Sequence, residues 1–328
     1  MTRLDTGEGV QAEASADCDG PRALLLEARE VPLGGVRAMN VRRALPQRDL
    51  PLVGAWCFLD RFGPQVTRMR VEPHPHIGLQ TVTWPLTGDV RHRDSVGSDV
   101  IVRRGALNLM TSGAGISHSE YSLGEDAAPL DALQLWVALP ESRRHGAPAF
   151  EQHATLPEIA LAAVEGAEGA ATVVLGDFAG LSSPATAYTP IVGAEVRVPT
   201  GARLRVPLDP SWEHALVGVI GEATVHAGTE DRIDLDVEHL LYLGIHREEI
   251  EISSATGATL FLLGGEPFPD EIVMWWNFVG RSHEEIVVAR DAWESADPRF
   301  GRVVDHGDER IPAPPLPAVR LTRRRRRV

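Results

Sequence analysis

The fold and the candidate site both depend on two short stretches: residues 110–120, which read MTSGAGISHSE, and residues 74–76, which read HPH. In each stretch, side chains of types that commonly bind metals stand two positions apart, His74 with His76 and His118 with Glu120. Side chains at that spacing point to the same face of a β-strand. If both stretches are strands of one barrel, three imidazoles and one carboxylate converge inside it. This ligand set suits Fe, Mn, Ni, Cu or Zn.

Three neutral imidazoles and one carboxylate leave two positions open on an octahedral ion, and open positions distinguish catalytic from structural sites. One position could hold a deprotonated organic oxygen and the other dioxygen or water. A closed structural zinc site would more often use cysteine, and Cys57 has no second cysteine nearby. The alternatives are a purely structural metal or two unrelated histidine-containing strands. We favour a catalytic metal centre in which Glu120 is both a ligand and a proton acceptor.

Several neighbouring residues have two interpretations. Gln134, in the strand-like run 131–137, is either a polar group beside the metal ligands or a hydrogen-bonded core residue. Gly113 and Gly115 either let the backbone turn tightly before His118 or belong to an ordinary loop. An open cavity above the metal is predicted from the small residues of this region, namely Gly78, Ala114, Gly115, Ser117 and Ser119.

The remaining histidines do not form ligand pairs. His92, between Arg91 and Arg93, is interpreted as a solvated strand-end histidine. Surface positions are expected for His145, His153, His239 and His306. In the second half of the chain His214, His226 and His246 each stand alone, so we expect that half to hold no metal.

Composition narrows the class of protein. The chain has 328 residues, enough for two domains with full cores, and a net charge of −14. All 32 basic residues are arginine, and the acidic balance disfavours direct nucleic-acid binding by the body of the protein. Cys18 and Cys57 cannot form a disulfide framework, which favours the reducing cytoplasm. Residues 1–20 lack the apolar core of a signal peptide, and Leu24–Leu26 is too short to span a membrane.

Strand and turn signals run from about residue 30 to 140 and again from about 170 to 265. Ser282 and Glu285 form a capping signal before a helix that is expected to continue through Trp293. Many strands with one clear helix predict an all-β protein of two tandem barrels with a short C-terminal helix. The predicted segments are a disordered leader at 1–20, an N-terminal metal-binding domain at 21–150, a linker at 151–170, a second domain without a metal site at 171–270, a helical segment at 271–304 and a Pro/Arg-rich tail at 305–328. The like charges of residues 323–327 predict disorder in isolation, and we interpret them as a solvated extension or one that lies on the acidic body.

The motifs together resemble those of the pirins, which are bicupin proteins of the cupin superfamily. The matching segments are residues 60–64 (DRFGP), 74–76 (HPH), Gly88, 92–95 (HRDS), 110–120, 133–137 (LQLWV) and 264–267 (GGEP). The resemblance implies two cupin barrels, each a double-stranded β-helix. It also implies one mononuclear Fe(II) per chain in the first barrel, held by His74, His76, His118 and Glu120.

Two residues close to the ligands in the sequence depart from the family pattern. Gln80 occupies the position where the cupin motif usually has Glu, and Ile77 occupies a position where Arg is common. The metal ligands themselves are retained, so metal binding is expected to survive, whereas a mechanism that needs a carboxylate at position 80 is not expected here.

Two functions from different classes compete. Some pirin-like proteins catalyse flavonol (quercetin) 2,4-dioxygenation, which implies a small aromatic enol and dioxygen as substrates, with Glu120 taking the hydroxyl proton. Others are described as iron-containing transcriptional co-regulators, which implies a non-catalytic redox sensor that binds a protein partner. The small residues around the ligands favour the enzyme.

Overall fold

The computed structural model describes residues 20–33, 39–228, 231–324 and 327–328. The predicted leader lies outside these ranges except for Gly20, and the terminal arginine block is described only in part.

The first half of the described chain consists of strands β1 (Pro21–Glu27), β2 (Arg29–Leu33), β3 (Met39–Leu45), β4 (Trp56–Thr67), β5 (Arg70–His76), β6 (Leu79–Thr87), β7 (Val90–Asp94), β8 (Asp99–Val102), β9 (Leu107–Thr111), β10 (Ile116–Ser122), β11 (Ala128–Ala138) and β12 (Ala149–His153). The second half contains β13 (Glu158–Leu161), β14 (Ala163–Glu165), β15 (Gly169–Phe178), β16 (Leu181–Ser182), β17 (Ile191–Val198), β18 (Ala202–Pro207), β19 (Glu213–Ile220), β20 (Ala223–His226), β21 (Arg232–Leu235), β22 (His239–Gly244), β23 (Glu249–Ser254), β24 (Ala258–Gly265), β25 (Val273–Trp275), β26 (Phe278–Gly280), helix α1 (His283–Glu294) and a 3₁₀ turn (Pro298–Phe300).

The described residues divide into two compact units, each made of β-sheets. Unit 1 contains residues 61–152 and 269–324, and unit 2 contains residues 20–60 and 153–268. The strand-rich architecture with a single helix in the described chain confirms the predicted all-β class.

The predicted domain boundaries differ from this division at two places. Residues 21–60 were expected in the first domain, yet they belong to unit 2, where β1 pairs antiparallel with β22. Residues 151–170 were expected to be a linker, yet they carry β13 and β14. The cause is that Ile159 and Leu161 pack against the apolar core of unit 2, which the Ala- and Glu-rich composition of the segment concealed.

Unit 1 has two sheets that position the candidate site. One has the strand order β5-β10-β7-β8, and in the other β12, β9, β6, β11 and β4 follow one another. Strand β6 is buried along all but its last residue, so both of its faces are covered.

Unit 2 has a long sheet of order β1-β22-β19-β24-β17-β15-β13 and a second sheet of order β14-β18-β23-β20-β21. Strand β18 alternates buried and less buried residues, which is typical of a strand with one face on a core. The buried side chains form one aliphatic cluster that includes Val196, Leu204, Leu216, Ile252 and Leu262. Burying one such side chain stabilises the fold by about 1.5–3 kcal/mol.

Helix α1 confirms Ser282 as the N-cap, which is one half of the predicted capping box. The Ser282 side chain accepts the backbone N–H of Glu285, and the helix ends at Glu294, one residue beyond the predicted Trp293. The Glu285 carboxylate accepts the N–H of Arg281 and not that of Ser282. Ile286, Ala289 and Trp293 form the buried face of the helix.

The C-terminal tail packs against unit 1 over most of its length. Ala313 and Leu321 are buried in a cluster with Trp293 and Phe300. Arg323 donates a hydrogen bond to the carbonyl of Arg281 and pairs with Glu271. Apolar residues therefore hold the segment around Ala313 and Leu321 on unit 1, and Arg323, the first residue of the arginine block, pairs with an acidic residue of the body.

Among the described residues, no helix has the length and apolar character needed to cross a membrane.

Candidate metal centre

Strands β5 and β10 bring the two motifs side by side. They pair antiparallel with His118 opposite His74 and Ile116 opposite His76. A register shift between His118 and Glu120 interrupts the ladder. On each strand the side chains two positions apart face the same side, as the sequence predicts.

Three imidazoles converge there. The Nε2 atoms of His76 and His118 are 3.1 Å apart, and the ring centroids of His74 and His118 are 4.3 Å apart. One ring nitrogen from each of His74, His76 and His118 lies within 4.8 Å of the others. All three side chains are buried.

Burial keeps these imidazoles neutral. It lowers the pKa of His74 to about 4 and the pKa values of His76 and His118 well below the ordinary range, and the neighbouring histidines add to the effect at His76 and His118. Neutral imidazoles offer lone pairs, which is the form that binds a metal. Burial of three ring nitrogens close together disfavours their protonation. The same nitrogens can bind a divalent ion, so the donor set fits a cupin metal site.

Glu120 belongs to an adjoining triad. Its carboxylate lies within 4.8 Å of ring nitrogens of His92 and His118, and the described structure does not group it with His74 and His76. Burial raises the pKa of Glu120, against the opposing effects of His92 and of a hydrogen bond from Thr83. The Thr83 hydroxyl is 3.1 Å from Glu120 Oε1 and 3.1 Å from Gln134 Oε1. Gln134 thus lies next to the site, as one of its two interpretations proposed.

The interpretation of His92 as a solvated histidine is wrong. Its side chain is 2% exposed, and its Nδ1 lies 3.3 Å from His118 Nδ1. Its Nε2 lies 2.9 Å from Asp94 Oδ2, and its ring stacks on Phe150 with centroids 4.5 Å apart. The flanking Arg91 and Arg93 suggested a solvent-exposed position for His92, but their side chains lie on the opposite face of β7. The His92-x-Asp94 spacing, identical to that of the predicted ligand pairs, was the signal that could have found this position.

Asp94 is held as an ionised group. Burial opposes its ionisation, but hydrogen bonds from His92 and Ser98 outweigh burial and keep its pKa below the ordinary value.

The outer face of β10 also corrects two predictions. Ser117 and Ser119 were expected to make room above the metal, but they alternate with His118 and Glu120 and point the other way. Ser117 Oγ donates to the carbonyl of Phe300 at 2.9 Å, and Ser119 Oγ lies 2.8 Å from His306 Nε2.

His306, predicted to lie on the surface, is 7% exposed because the C-terminal segment folds over β10. A cavity of about 700 Å³ lies on this outer face, with Ser117, Phe300 and His306 in its lining.

The two glycines of the motif have separate roles. Gly113 has φ +50°, and a Cβ there would stand 2.1 Å from the carbonyl oxygen of Gly146, so only glycine fits. At Gly115 a Cβ would lie 3.1 Å from the carbonyl oxygen of Arg299, which makes this a close approach between chain segments. The tight-turn interpretation therefore holds at Gly113, whereas Gly115 has no positive φ and is a close contact.

The two departures from the family pattern are buried as well. Gln80 donates through Nε2 to Thr111 Oγ1 at 3.0 Å. Ile77 belongs to the apolar cluster that contains Phe278 and Trp293. Trp136 places its ring edge-on to His76, with centroids 5.3 Å apart.

Comparison with known proteins agrees with this architecture. The sequence model of the Pirin family matches residues 37–137, and that of the Pirin C-terminal cupin domain matches residues 193–301. A Pseudomonas aeruginosa protein named "Putative quercetin 2,3-dioxygenase PA1205" is 41% identical over 95% of this chain and 98% of its own. A pirin-like protein of Caulobacter vibrioides is 31% identical over 89% of this chain and 99% of its own.

Among solved structures, the quercetin 2,3-dioxygenase of Acinetobacter baumannii superimposes with a TM-score of 0.82 at 37% identity, covering 90% of this chain and 96% of that one. The two family models match both halves of the chain, and the relatives align over nearly its full length. The paired strands that carry the histidine cluster agree with these matches. The chain therefore belongs to the pirin family of bicupin proteins.

Proposed function

We propose that the chain is a metal-dependent dioxygenase of flavonol-like substrates, with one ion held by His74, His76, His118 and Glu120. The observation that carries the proposal is the convergence of three buried, neutral imidazoles within 4.8 Å of one another. Fe(II) is the resident ion in this proposal, and Mn, Ni, Cu and Zn are alternatives that the same donors accept.

The chain's own groups support acid–base chemistry beside such an ion. When bound, the ion supplies a Lewis acid for an enol oxygen and an electron source for dioxygen. Glu120 takes the hydroxyl proton of the enol at a carboxylate oxygen, and the raised pKa of this buried group makes it a stronger base than an exposed glutamate. Thr83 donates to Oε1 and orients the carboxylate. The edge of Trp136 and the burial of the ligands keep water away from the reacting atoms.

The substrate class is supported by relatives. Two proteins whose printed names include quercetin 2,3-dioxygenase are 41% and 37% identical to this chain over nearly its full length. A flavonol places a hydroxyl next to a carbonyl, and this enol is the group that Glu120 would deprotonate. The partners proposed are therefore a small aromatic enol and dioxygen.

The test uses the full chain loaded separately with Fe, Mn, Ni, Cu and Zn. Each form is incubated in air with a flavonol panel, and oxygen uptake and carbon monoxide release are followed. We expect turnover with at least one redox-active ion, and loss of most turnover in Glu120→Gln. If no ion supports turnover of any flavonol while His118→Ala still loses its metal, the dioxygenase proposal fails and the protein-binding redox sensor replaces it.

A further inference from the structure

Unit 1 contains a histidine–carboxylate pair to which the proposed dioxygenase chemistry assigns no role. His92 and Asp94 are 2% and 0% exposed on β7, the strand next to β10. His92 reaches Asp94 Oδ2 with Nε2 at 2.9 Å and His118 Nδ1 with Nδ1 at 3.3 Å. Phe150 stacks on the face of the ring. The imidazole of His92 is therefore fixed at both edges and on one face.

The position of one proton follows from these contacts. A neutral imidazole has one N–H and one lone pair. His118 turns Nε2 towards His76 Nε2 at 3.1 Å, so binding an ion through Nε2 requires the proton to be on Nδ1. That N–H needs an acceptor, and His92 Nδ1 faces it. His92 then carries its own proton on Nε2 and donates it to Asp94.

The reverse arrangement is unfavourable. It would put the proton of His118 on Nε2 and the lone pair of His92 Nε2 against a carboxylate oxygen 2.9 Å away. Asp94 cannot become a donor without cost, because its Oδ1 already accepts the backbone N–H groups of Val96 at 3.0 Å and Ser98 at 2.9 Å. An ionised carboxylate fixed by several donors is acceptor-only.

We infer that Asp94, acting through His92, selects the tautomer of His118 that leaves Nε2 free for a metal ion. Both are positioning residues, since neither needs to touch the ion. Carboxylate partners of metal-binding histidines act in this way and typically change metal affinity by about 10–100-fold when removed. The inference rests on the proposed metal centre, because it assigns a role to His118 as a ligand.

The first experiment reads the tautomer directly. Full-length protein with ¹⁵N-labelled histidine, stripped of metal at neutral pH, is compared with Asp94→Asn by NMR. The asparagine amide can donate to His92 Nε2, which reverses both hydrogen bonds. We expect the His118 proton on Nδ1 in the parent protein and on Nε2 in the variant, with zinc affinity lowered about 10–100-fold in chelator competition. A parent protein with the proton on Nε2 overturns the inference.

The second experiment separates positioning from packing. His92→Asn keeps an oxygen near the place of Nδ1 but cuts the connection to Asp94. In that background, Asp94→Asn should change zinc affinity by less than about twofold, since the two positions no longer communicate. Losses that simply add would show that both residues act through packing and would overturn the inference.

Two controls complete the design. Asp99→Asn, in an exposed pair with Arg91 on the neighbouring strand, should leave the His118 tautomer and zinc affinity unchanged. If His118→Ala keeps its metal, the proposed centre itself fails, whereas the NMR result still reports whether Asp94 sets the tautomer.

Discussion

Both units consist of antiparallel β-sheets, but their buried side chains differ in character. In unit 1, the neighbouring strands β5, β10 and β7 carry four histidines, Glu120 and Asp94, all buried. In unit 2, the buried core is a hydrophobic cluster made mostly of valines, leucines and isoleucines. Strand alternation fixes which positions face inward, and the residue types at those positions decide whether the interior holds ionisable groups or a packed apolar core.

His214 is a buried histidine of unit 2. It lies on β19 with 2% exposure, and burial lowers its pKa to about 4. Within the described chain, no ligand triad of histidine, cysteine or carboxylate includes it. It therefore provides the natural control for the histidines of unit 1.

The largest difference in metal content is expected between variants of His118 and His214. His118→Ala should lose bound metal, since two triads share this residue, whereas His214→Ala should keep the metal content of the parent protein. Elemental analysis after dialysis measures both, with circular dichroism to confirm that each variant is folded. Equal metal content in the two variants would remove the proposed distinction between the units.

The second effect concerns the packed core. Leu262→Ala removes a fully buried side chain from the unit 2 cluster and should lower the free energy of unfolding by about 2–5 kcal/mol. Metal content per folded chain should not change. Urea unfolding measures the first quantity and elemental analysis the second. A loss of metal on this substitution would show that the units are not chemically separate.

The third effect is the pH dependence of stability that His214 contributes. The pKa of His214 in the folded chain is about 4, below the value near 6.5 of an unfolded histidine, so the unfolded state binds the proton first as the pH falls. Stability is therefore lost between about pH 6.5 and 4, by up to roughly 3 kcal/mol. His214→Gln should show a smaller loss than the parent protein when urea unfolding is compared at pH 7 and pH 4.5. Parallel losses in both proteins would contradict a neutral buried His214.

The smallest effect is expected at an ion pair on the surface. Arg320 pairs with Glu284 where both side chains are more than half exposed, so Arg320→Ala should lower the midpoint of thermal unfolding only slightly, and less at high salt. Thermal unfolding of the two proteins at low and high salt measures it. A larger, salt-independent loss would mean that the tail contributes more to unit 1 than its apolar contacts indicate.

The sequence predicted the parts of the site that follow from local spacing. The His74–His76 and His118–Glu120 pairs were recognisable because strand periodicity needs only a few residues, and the Ser282 cap was recognisable for the same reason. His92 was misread because its charged neighbours were given more weight than its own spacing from Asp94. His306 could not be found, because its contact with Ser119 spans 187 residues and exists only after the chain has folded.

The hydrogen bonds on the outer face of β10 have a consequence for biosynthesis. Ser117 and Ser119 alternate along β10 with His118 and Glu120, and their partners Phe300 and His306 follow them by 183 and 187 residues. Unit 2 ends at residue 268, so its strands leave the ribosome before these partners do. The strand that presents His118 therefore acquires these two hydrogen bonds only after residues 300 and 306 have been synthesised, so a shorter nascent chain carries the histidine motif without this support.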